Sequence, residues 1–237
     1  MIRVTPGRYG AVAPSGEEWP LNRNRYLEYQ VNTIYSTVQG EGGLAGTPMT
    51  IVRLQGCPIA CSFCDTPETW AHEGTWMTAR KIAEVVSAHS PRWTLVTGGE
   101  PCWHDLGALT GALKASALRR AIETSGAYPI TGQWDWVCIS PKPAGRLPLD
   151  PLNLRTAHEI KWIIGRERDV EELETFLARH ASALKRPSVI EGRKGEARIS
   201  VQPMSCARKP TEIALDALEK HPEWFLSLQT HKMIGIP

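Results

Sequence analysis

The feature that most constrains the fold of this chain is a recurring order of short apolar strand, polar turn and amphipathic helix. Trp93 to Val96 reads as a buried strand ending in Thr97-Gly98-Gly99-Glu100-Pro101, and Leu106, Leu109 and Leu113 mark the helix behind it. Further strands are predicted at about 119–123 and 135–139, then at Glu159 to Ile164, Ile199 to Val201 and Trp224 to Leu228. Helices fall at about 167–180, with Val170, Leu173 and Leu177 on the inner face, and from Thr211 to Lys220, burying Ile213, Ala217 and Leu218. Ahead of these come strands Tyr29 to Tyr35 and Met49 to Leu54, and a helix capped by Thr78 with Ile82, Val85, Val86 and His89 on one face. Strands alternating with helices imply parallel β/α units. Thr97 and Glu100, Glu123, Ser140 and Lys142, Gln202, and Gln229 with His231 each fall just after an apolar strand. That edge builds the active site in barrel-like β/α folds, so their recurrence predicts one shared site.

Length and composition bound the rest. With 237 residues, 42% of them hydrophobic, the chain is long enough for one sizeable core, and a single domain is expected over 28–237. Residues 1–27 are rich in Pro, Gly, Arg and Asn and lack periodicity, which reads as an irregular N-terminal extension. Twenty-seven basic against 25 acidic residues leave a net charge of +2, far from the balance of an electrostatic nucleic-acid binder. A small-molecule partner is expected instead. No run approaches the roughly 18 apolar residues of a membrane span, and the N-terminus has no apolar stretch of signal-peptide length, so a cytoplasmic protein is expected.

Three of six cysteines crowd into Cys57-Pro-Ile-Ala-Cys61-Ser-Phe-Cys64. Thiolates at this spacing let one loop wrap a compact inorganic core and are the ligands that iron–sulfur clusters select. A four-iron cluster held by three cysteines keeps one iron open for chemistry. Two other readings fit the loop. Cys57, Cys61, Cys64 and His72 could close a structural zinc site, making the chain a zinc-clipped binding module. A redox pair of Cys61 and Cys64 would leave Cys57 unexplained. Cys102, Cys138 and Cys206 are scattered and read as buried reduced thiols. Arg53, in an otherwise apolar strand, is either an edge residue or a planar fork for a carboxylate. The glycines of Val38-Gln39-Gly40-Glu41-Gly42-Gly43 permit either a plain turn or close backbone approach to a ligand.

The cysteine loop, the Thr97-Gly-Gly-Glu-Pro101 turn and the Ser140-Pro141-Lys142 turn resemble the radical S-adenosylmethionine enzymes. Within them, Val38-Gln-Gly-Glu-Gly42, Cys64-Asp-Thr66, Glu123-Thr-Ser-Gly126, Gln202-Pro-Met204, Gln229-Thr-His-Lys232 and the Ile236-Pro237 ending resemble the 7-carboxy-7-deazaguanine synthases, from about residue 30 onward. The resemblance implies an incomplete, TIM-like β/α barrel, usually a homodimer. It implies a lyase that contracts the ring of 6-carboxy-5,6,7,8-tetrahydropterin to 7-carboxy-7-deazaguanine with loss of ammonia, on the route to queuosine and other 7-deazapurines. In these terms Cys57, Cys61 and Cys64 hold a [4Fe-4S] cluster that cleaves S-adenosylmethionine to a 5′-deoxyadenosyl radical, reduced by an external donor such as a flavodoxin or ferredoxin. Gly99, Glu123, Ser140, Pro141, Lys142, Gln202, Pro203, Met204 and Ser205 match positions that hold S-adenosylmethionine. Val38, Gln39, Gly40, Arg53, Thr97 and the Pro237 carboxylate match positions that hold the pterin, with Glu41 and His231 as neighbouring polar contacts, and Thr66 matches an Mg2+ ligand. An activase that installs a glycyl radical on a protein partner shares the cysteine loop but has no use for Arg53, Thr66 and Pro237 in these roles.

Overall fold

The computed structural model describes residues 27–71, 73–142, 149–190 and 193–237, with the backbone alone for 185–190 and 193–195. The predicted extension, apart from Leu27, and His72 lie outside these residues. In chain order the elements are β1 (Glu28–Val38), β2 (Pro48–Leu54), β3 (Thr75–Thr78), α1 (Ala79–Ser87), β4 (Trp93–Gly98), α2 (Gly107–Ala115), β5 (Arg119–Thr124) and β6 (Trp136–Ile139). Then come β7 (Glu159–Ile164), α3 (Glu167–Leu184), β8 (Lys185–Ile190), β9 (Arg193–Glu196), β10 (Arg198–Pro203), α4 (Arg208–Lys220), β11 (Phe225–Leu226) and α5 (Thr230–Ile234).

Nine strands form one open sheet in the order β11-β10-β7-β6-β5-β4-β2-β1-β3, and β8 with β9 makes a separate hairpin. From β2 to β11 every neighbour is parallel, while β1 lies antiparallel between β2 and β3 at one edge. The sheet does not close, so the architecture is a partial β/α barrel. Alternate side chains of a strand face opposite sides, and the burial follows that rule. Val52, Leu54, Val96, Ile122, Val137, Ile139, Ile160, Ile164 and Val201 face outward into the main core, where Ile82, Val86, Leu109, Leu113, Leu173, Ile213 and Ala217 of the helices meet them. Met49, Ile51, Leu95 and Ala121 face inward and form a smaller core with Leu44.

The helix beginning at Thr78 forms as expected, with Thr78 Oγ1 accepting from the Lys81 amide at 3.1 Å; His89 falls beyond its last turn. The strand expected from Trp224 to Leu228 is two residues long, and the helix expected to end near 180 continues to Leu184. The sequence reading omits β3, α5 and the β8–β9 hairpin. The first two are four and five residues long, too short to display a period, and the hairpin segment is rich in charge and carries Pro187 and two glycines. Cys102 and Cys138 are buried free thiols, but Cys206 is half-buried, because it sits in a short turn after β10 with its sulfur accepting the Gln229 amide.

Candidate active site

Inside the partial barrel lies a cavity of about 420 Å³ toward the C-terminal ends of the parallel strands. It is lined by Cys57, Cys61, Cys64 and Thr66, by Gly99, Glu123, Ser140, Lys142 and Gln202 to Ser205, and by Val38 to Glu41, Arg53, Thr97, His231 and Pro237. Of the predicted site residues, Pro141 alone does not line it; it is buried between Ser140 and Lys142, which do. Strand register explains the convergence. Arg53 on β2 is paired with Thr97 on β4, and Gln202 on β10 with Ile163 on β7, so neighbouring inward positions at one height share a wall.

The cysteine loop is braced from both sides. The Gly56 amide donates to Thr69 O at 2.8 Å, the Glu100 amide to Gly56 O at 2.9 Å, and Ala60 turns the loop with φ 48°. Gly99 has to be glycine: a Cβ there would stand 2.6 Å from Gly56 C and 2.9 Å from Cys57 Cβ. Glu100 lines the cavity as expected, and its carboxylate braces two turns. Its Oε1 accepts from the Cys102 amide at 2.9 Å and Thr124 Oγ1 at 2.5 Å, and its Oε2 from the Ser125 amide at 2.9 Å and Ser125 Oγ at 2.5 Å. Those four donors fill the acceptor capacity of a carboxylate.

The donor set suits an iron–sulfur cluster. All three thiols are free and line one cavity, while His72, the fourth ligand of the zinc reading, lies outside the described residues. Burial pushes the Cys57 thiol up to about 11 and raises that of Cys61. Burial thus disfavours the thiolate at Cys57 and Cys61, and a metal binding there has to displace their protons.

Beneath the thiols lies a buried charge network. Lys161 Nζ is 2.6 Å from Glu41 Oε2 and 2.9 Å from Glu123 Oε2. Gln202 and Gln229 donate to Glu41 at 3.0 and 2.8 Å, and Gln39 donates to Glu123 at 2.8 Å. Burial acts to raise the Glu41 carboxyl, but the Lys161 ammonium and the donors around it overcome this and bring it to about 2. For Lys161 burial favours the neutral amine, yet Glu123 and Glu41 hold it well above the usual range. Lys142, which donates to Ser140 Oγ at 2.7 Å, is shifted down, first by burial and then by Lys161. Arg53, by contrast, lines the cavity with no side-chain hydrogen bond or ion pair to any described residue.

The C-terminal segment closes one side. The Thr230 amide and Oγ1 both donate to Gly40 O at 3.0 Å, Lys232 Nζ meets Asp65 Oδ2 at 3.2 Å, and Thr37 Oγ1 donates to Pro237 O at 2.7 Å. The His231 ring lies over Gly40, where a Cβ would come within 2.7 Å of its Cγ. Lys161 and Asp65 escaped the sequence reading as site residues. The signal for Lys161 was available: a lysine between Ile160 and Trp162 of an apolar strand has to face something that repays its burial.

A partial β/α barrel that gathers a three-cysteine loop, a Gly-Gly-Glu turn and a polar cavity at its strand ends defines a radical S-adenosylmethionine enzyme. No protein-family model matches the chain. Curated relatives do: the 7-carboxy-7-deazaguanine synthase of a Synechocystis species is 34% identical over 230 residues, covering 92% of this chain and 98% of that protein. The synthase of Escherichia coli K12 is 33% identical over 234 residues, covering 89% and 100%. The crystal structure of QueE from Escherichia coli superimposes with a TM-score of 0.74 at 29% identity, over 88% of this chain and 98% of that one. The chain belongs to the 7-carboxy-7-deazaguanine synthase family, a relationship that favours neither the activase nor the zinc-module reading.

Proposed function

We propose that the chain converts 6-carboxy-5,6,7,8-tetrahydropterin to 7-carboxy-7-deazaguanine and ammonia, working in the cytoplasm as a homodimer of single-domain chains reduced by a flavodoxin- or ferredoxin-type donor. The observation that carries the substrate assignment is Arg53, a guanidinium that lines the cavity without a described protein partner. A planar cation in a site walled on one side by Ile51 and Leu95 calls for an anion, and its fork matches a carboxylate bidentately.

The residues divide by height in the barrel. Cys57, Cys61 and Cys64 would hold a [4Fe-4S] cluster, and Gly99, Ser140, Lys142, Glu123 and Gln202 to Ser205 would receive S-adenosylmethionine beside it. Bound there, the cluster and S-adenosylmethionine supply the one-electron radical chemistry of the ring contraction. Arg53 grips the pterin carboxylate, with Thr97 next to it on the adjacent strand. Gln39 and Glu41 approach from the opposite side, and Gly40 leaves room for the His231 ring to close over the segment. The apolar floor of Leu44, Met49, Ile51, Leu95 and Ala121 keeps bulk water from the lower end. Thr66 Oγ1 is an oxygen donor facing the cavity two residues beyond Cys64, suited to Mg2+ shared with substrate oxygens.

Anaerobic reconstitution with iron and sulfide, followed by incubation with reductant, S-adenosylmethionine, Mg2+ and the carboxypterin, tests the assignment. The expected product is 7-carboxy-7-deazaguanine, identified by mass. Absence of product from protein with an intact cluster refutes it.

A further inference from the structure

Lys161 stands in the middle of β7, its side chain 4% exposed, and bridges two carboxylates that arrive from different places. Glu41 comes from the segment that follows β1, and Glu123 from β5. One ammonium thus joins the carboxylate on the proposed pterin side to the carboxylate on the proposed S-adenosylmethionine side. An ionised carboxylate offers about four acceptor positions. Glu41 commits three of them, to Lys161, Gln202 and Gln229, and Glu123 commits two, to Lys161 and Gln39. Both line the cavity, so their uncommitted positions are open to a ligand.

We propose that Lys161 is a positioning residue that holds Glu41 and Glu123 ionised and fixed, so that their remaining lone pairs accept hydrogen bonds from the N–H and O–H groups of the two ligands. The inference rests on the proposed pairing of S-adenosylmethionine and a carboxypterin in this cavity. Two carboxylates sharing one buried site repel, and without a cation between them one takes up a proton. A protonated carboxyl presents a donor where an acceptor is needed and opposes an N–H group. The surrounding charges do not substitute for Lys161. Glu159, at the start of the same strand, accepts from Ser200 Oγ and the Gly43 amide and lies 3.8 Å from Arg198. Lys142 is bonded to Ser140, and Asp65 reaches the network through the Gln229 amide. The Cys138 thiol on β6 is raised well above its ordinary value, first by burial, and stays neutral.

The test is equilibrium binding of S-adenosylmethionine and of the carboxypterin to anaerobically reconstituted holoenzyme, measured by calorimetry across the neutral range. Wild type is expected to bind both with flat pH profiles, since Glu41 titrates near 2. Lys161→Met should weaken both ligands roughly tenfold to a hundredfold, and increasingly so as pH falls through the carboxyl it releases. Adding Glu41→Gln to Lys161→Met returns the trio to the wild-type net charge, one cation and two anions in one case and one anion in the other. The double variant should regain S-adenosylmethionine affinity to within a few-fold, with a flat profile. Wild-type affinity and a flat profile in Lys161→Met would overturn the inference. So would a loss that is equal at every pH and unrepaired in the double variant, the mark of a purely structural role. If circular dichroism shows Lys161→Met unfolded, the double variant decides alone: near-wild-type, pH-independent S-adenosylmethionine binding supports the inference and weak binding refutes it. A wild-type protein that binds S-adenosylmethionine but not the carboxypterin refutes the substrate assignment instead, and the S-adenosylmethionine arm still judges Lys161.

Discussion

Replacing Gly40 by alanine should loosen the C-terminal closure without unfolding the barrel. The new Cβ would stand 2.7 Å from His231 Cγ and 2.8 Å from His231 Cβ, with the ring nitrogen Nδ1 closer still. Because the His231 Cβ itself is in the way, a rotation of the imidazole does not relieve the contact, and either the turn that follows β1 or α5 has to move. β1 is fixed by antiparallel ladders to both β2 and β3. α5 has little apolar anchorage, with Met233 59% and Ile234 66% exposed, and its attachment depends on the Thr230, Lys232 and Pro237 links. Overpacking costs about 1–3 kcal/mol, while neutral hydrogen bonds contribute about 1 kcal/mol each, so loosening α5 at the Thr230 links costs no more than the clash it relieves. The midpoint of thermal unfolding should fall by only a few degrees, at about 2–4 °C per kcal/mol for a chain of this size. Affinity for the carboxypterin should drop roughly tenfold, the equivalent of about 1.4 kcal/mol. Hydrogen exchange supplies the local readout, with faster exchange at the Thr230, Lys232 and Ile236 amides, each of which now donates to a backbone carbonyl. Wild-type protection of these amides together with unchanged pterin affinity would refute the reasoning. Gly111→Ala is the control: it lies in α2 with nothing within 4 Å of the added methyl, and should raise stability by about 0.5–1 kcal/mol.

Arg53→Lys should weaken carboxypterin binding while leaving S-adenosylmethionine binding unchanged, because a point charge does not reproduce the fork; equal pterin affinity in calorimetry would remove Arg53 from the site. Gly99→Ala should place a methyl against Gly56 and Cys57 and disorder the cluster loop, so iron and sulfide retained after anaerobic reconstitution should fall below wild type. Asp135 accepts from Arg120 Nε at 2.8 Å and Nη2 at 3.0 Å. Burial tends to raise this carboxyl, but the Arg120 hydrogen bonds prevail and hold it below 3.8. A depressed folded-state pKa contributes stability above the unfolded value and loses it as pH falls. Asp135→Asn should therefore be less stable than wild type near neutrality, with the difference shrinking as pH falls through the depressed carboxyl in a series of thermal melts.

The parallel strands were legible because most combine a short apolar stretch with a turn signal behind it, and β7 matches its expected limits. Residues that meet at the cavity were legible for the same reason: a parallel sheet delivers all its strand ends to one edge. Glu100 lies at the cavity as its place after β4 implies, but its bracing role is not legible locally, because the Thr124 and Ser125 donors stand at the end of the next strand. Lys161 was missed because a single lysine inside Glu-Ile-Lys-Trp-Ile-Ile does not disturb the apolar pattern, and its partners lie 120 and 38 residues away. α5 carries no period to detect, and its place is fixed by contacts with Gly40 and Asp65 that no local pattern encodes.

The glycines after Val38 take on a definite purpose in this architecture. β1 runs antiparallel to β2, with Val38 paired to Pro48, so the chain leaves β1 at the N-terminal end of the parallel strands, opposite the cysteine loop. From there it passes beneath the barrel. The Gly42 amide donates to Ser227 Oγ and the Gly43 amide to Glu159 Oε2, while a Cβ on Gly43 would meet Trp136 at 2.7 Å and Arg198 at 3.1 Å. Leu44 then fills the lower core against Met49, Ile51, Leu95 and Ala121. A sheet left open at both edges has no closed wall to support a ligand from below, and this segment supplies the support. It also raises Gln39 and Glu41 into the cavity from the side away from the thiols. A ligand seated there is therefore held between cluster loop and plug, and the ion pair of Glu41 with Lys161 ties the plug to the barrel wall. Any insertion that lengthens the turn between Val38 and Pro48 should uncouple the two, lowering ligand affinity while the outer core of helices on sheet remains intact.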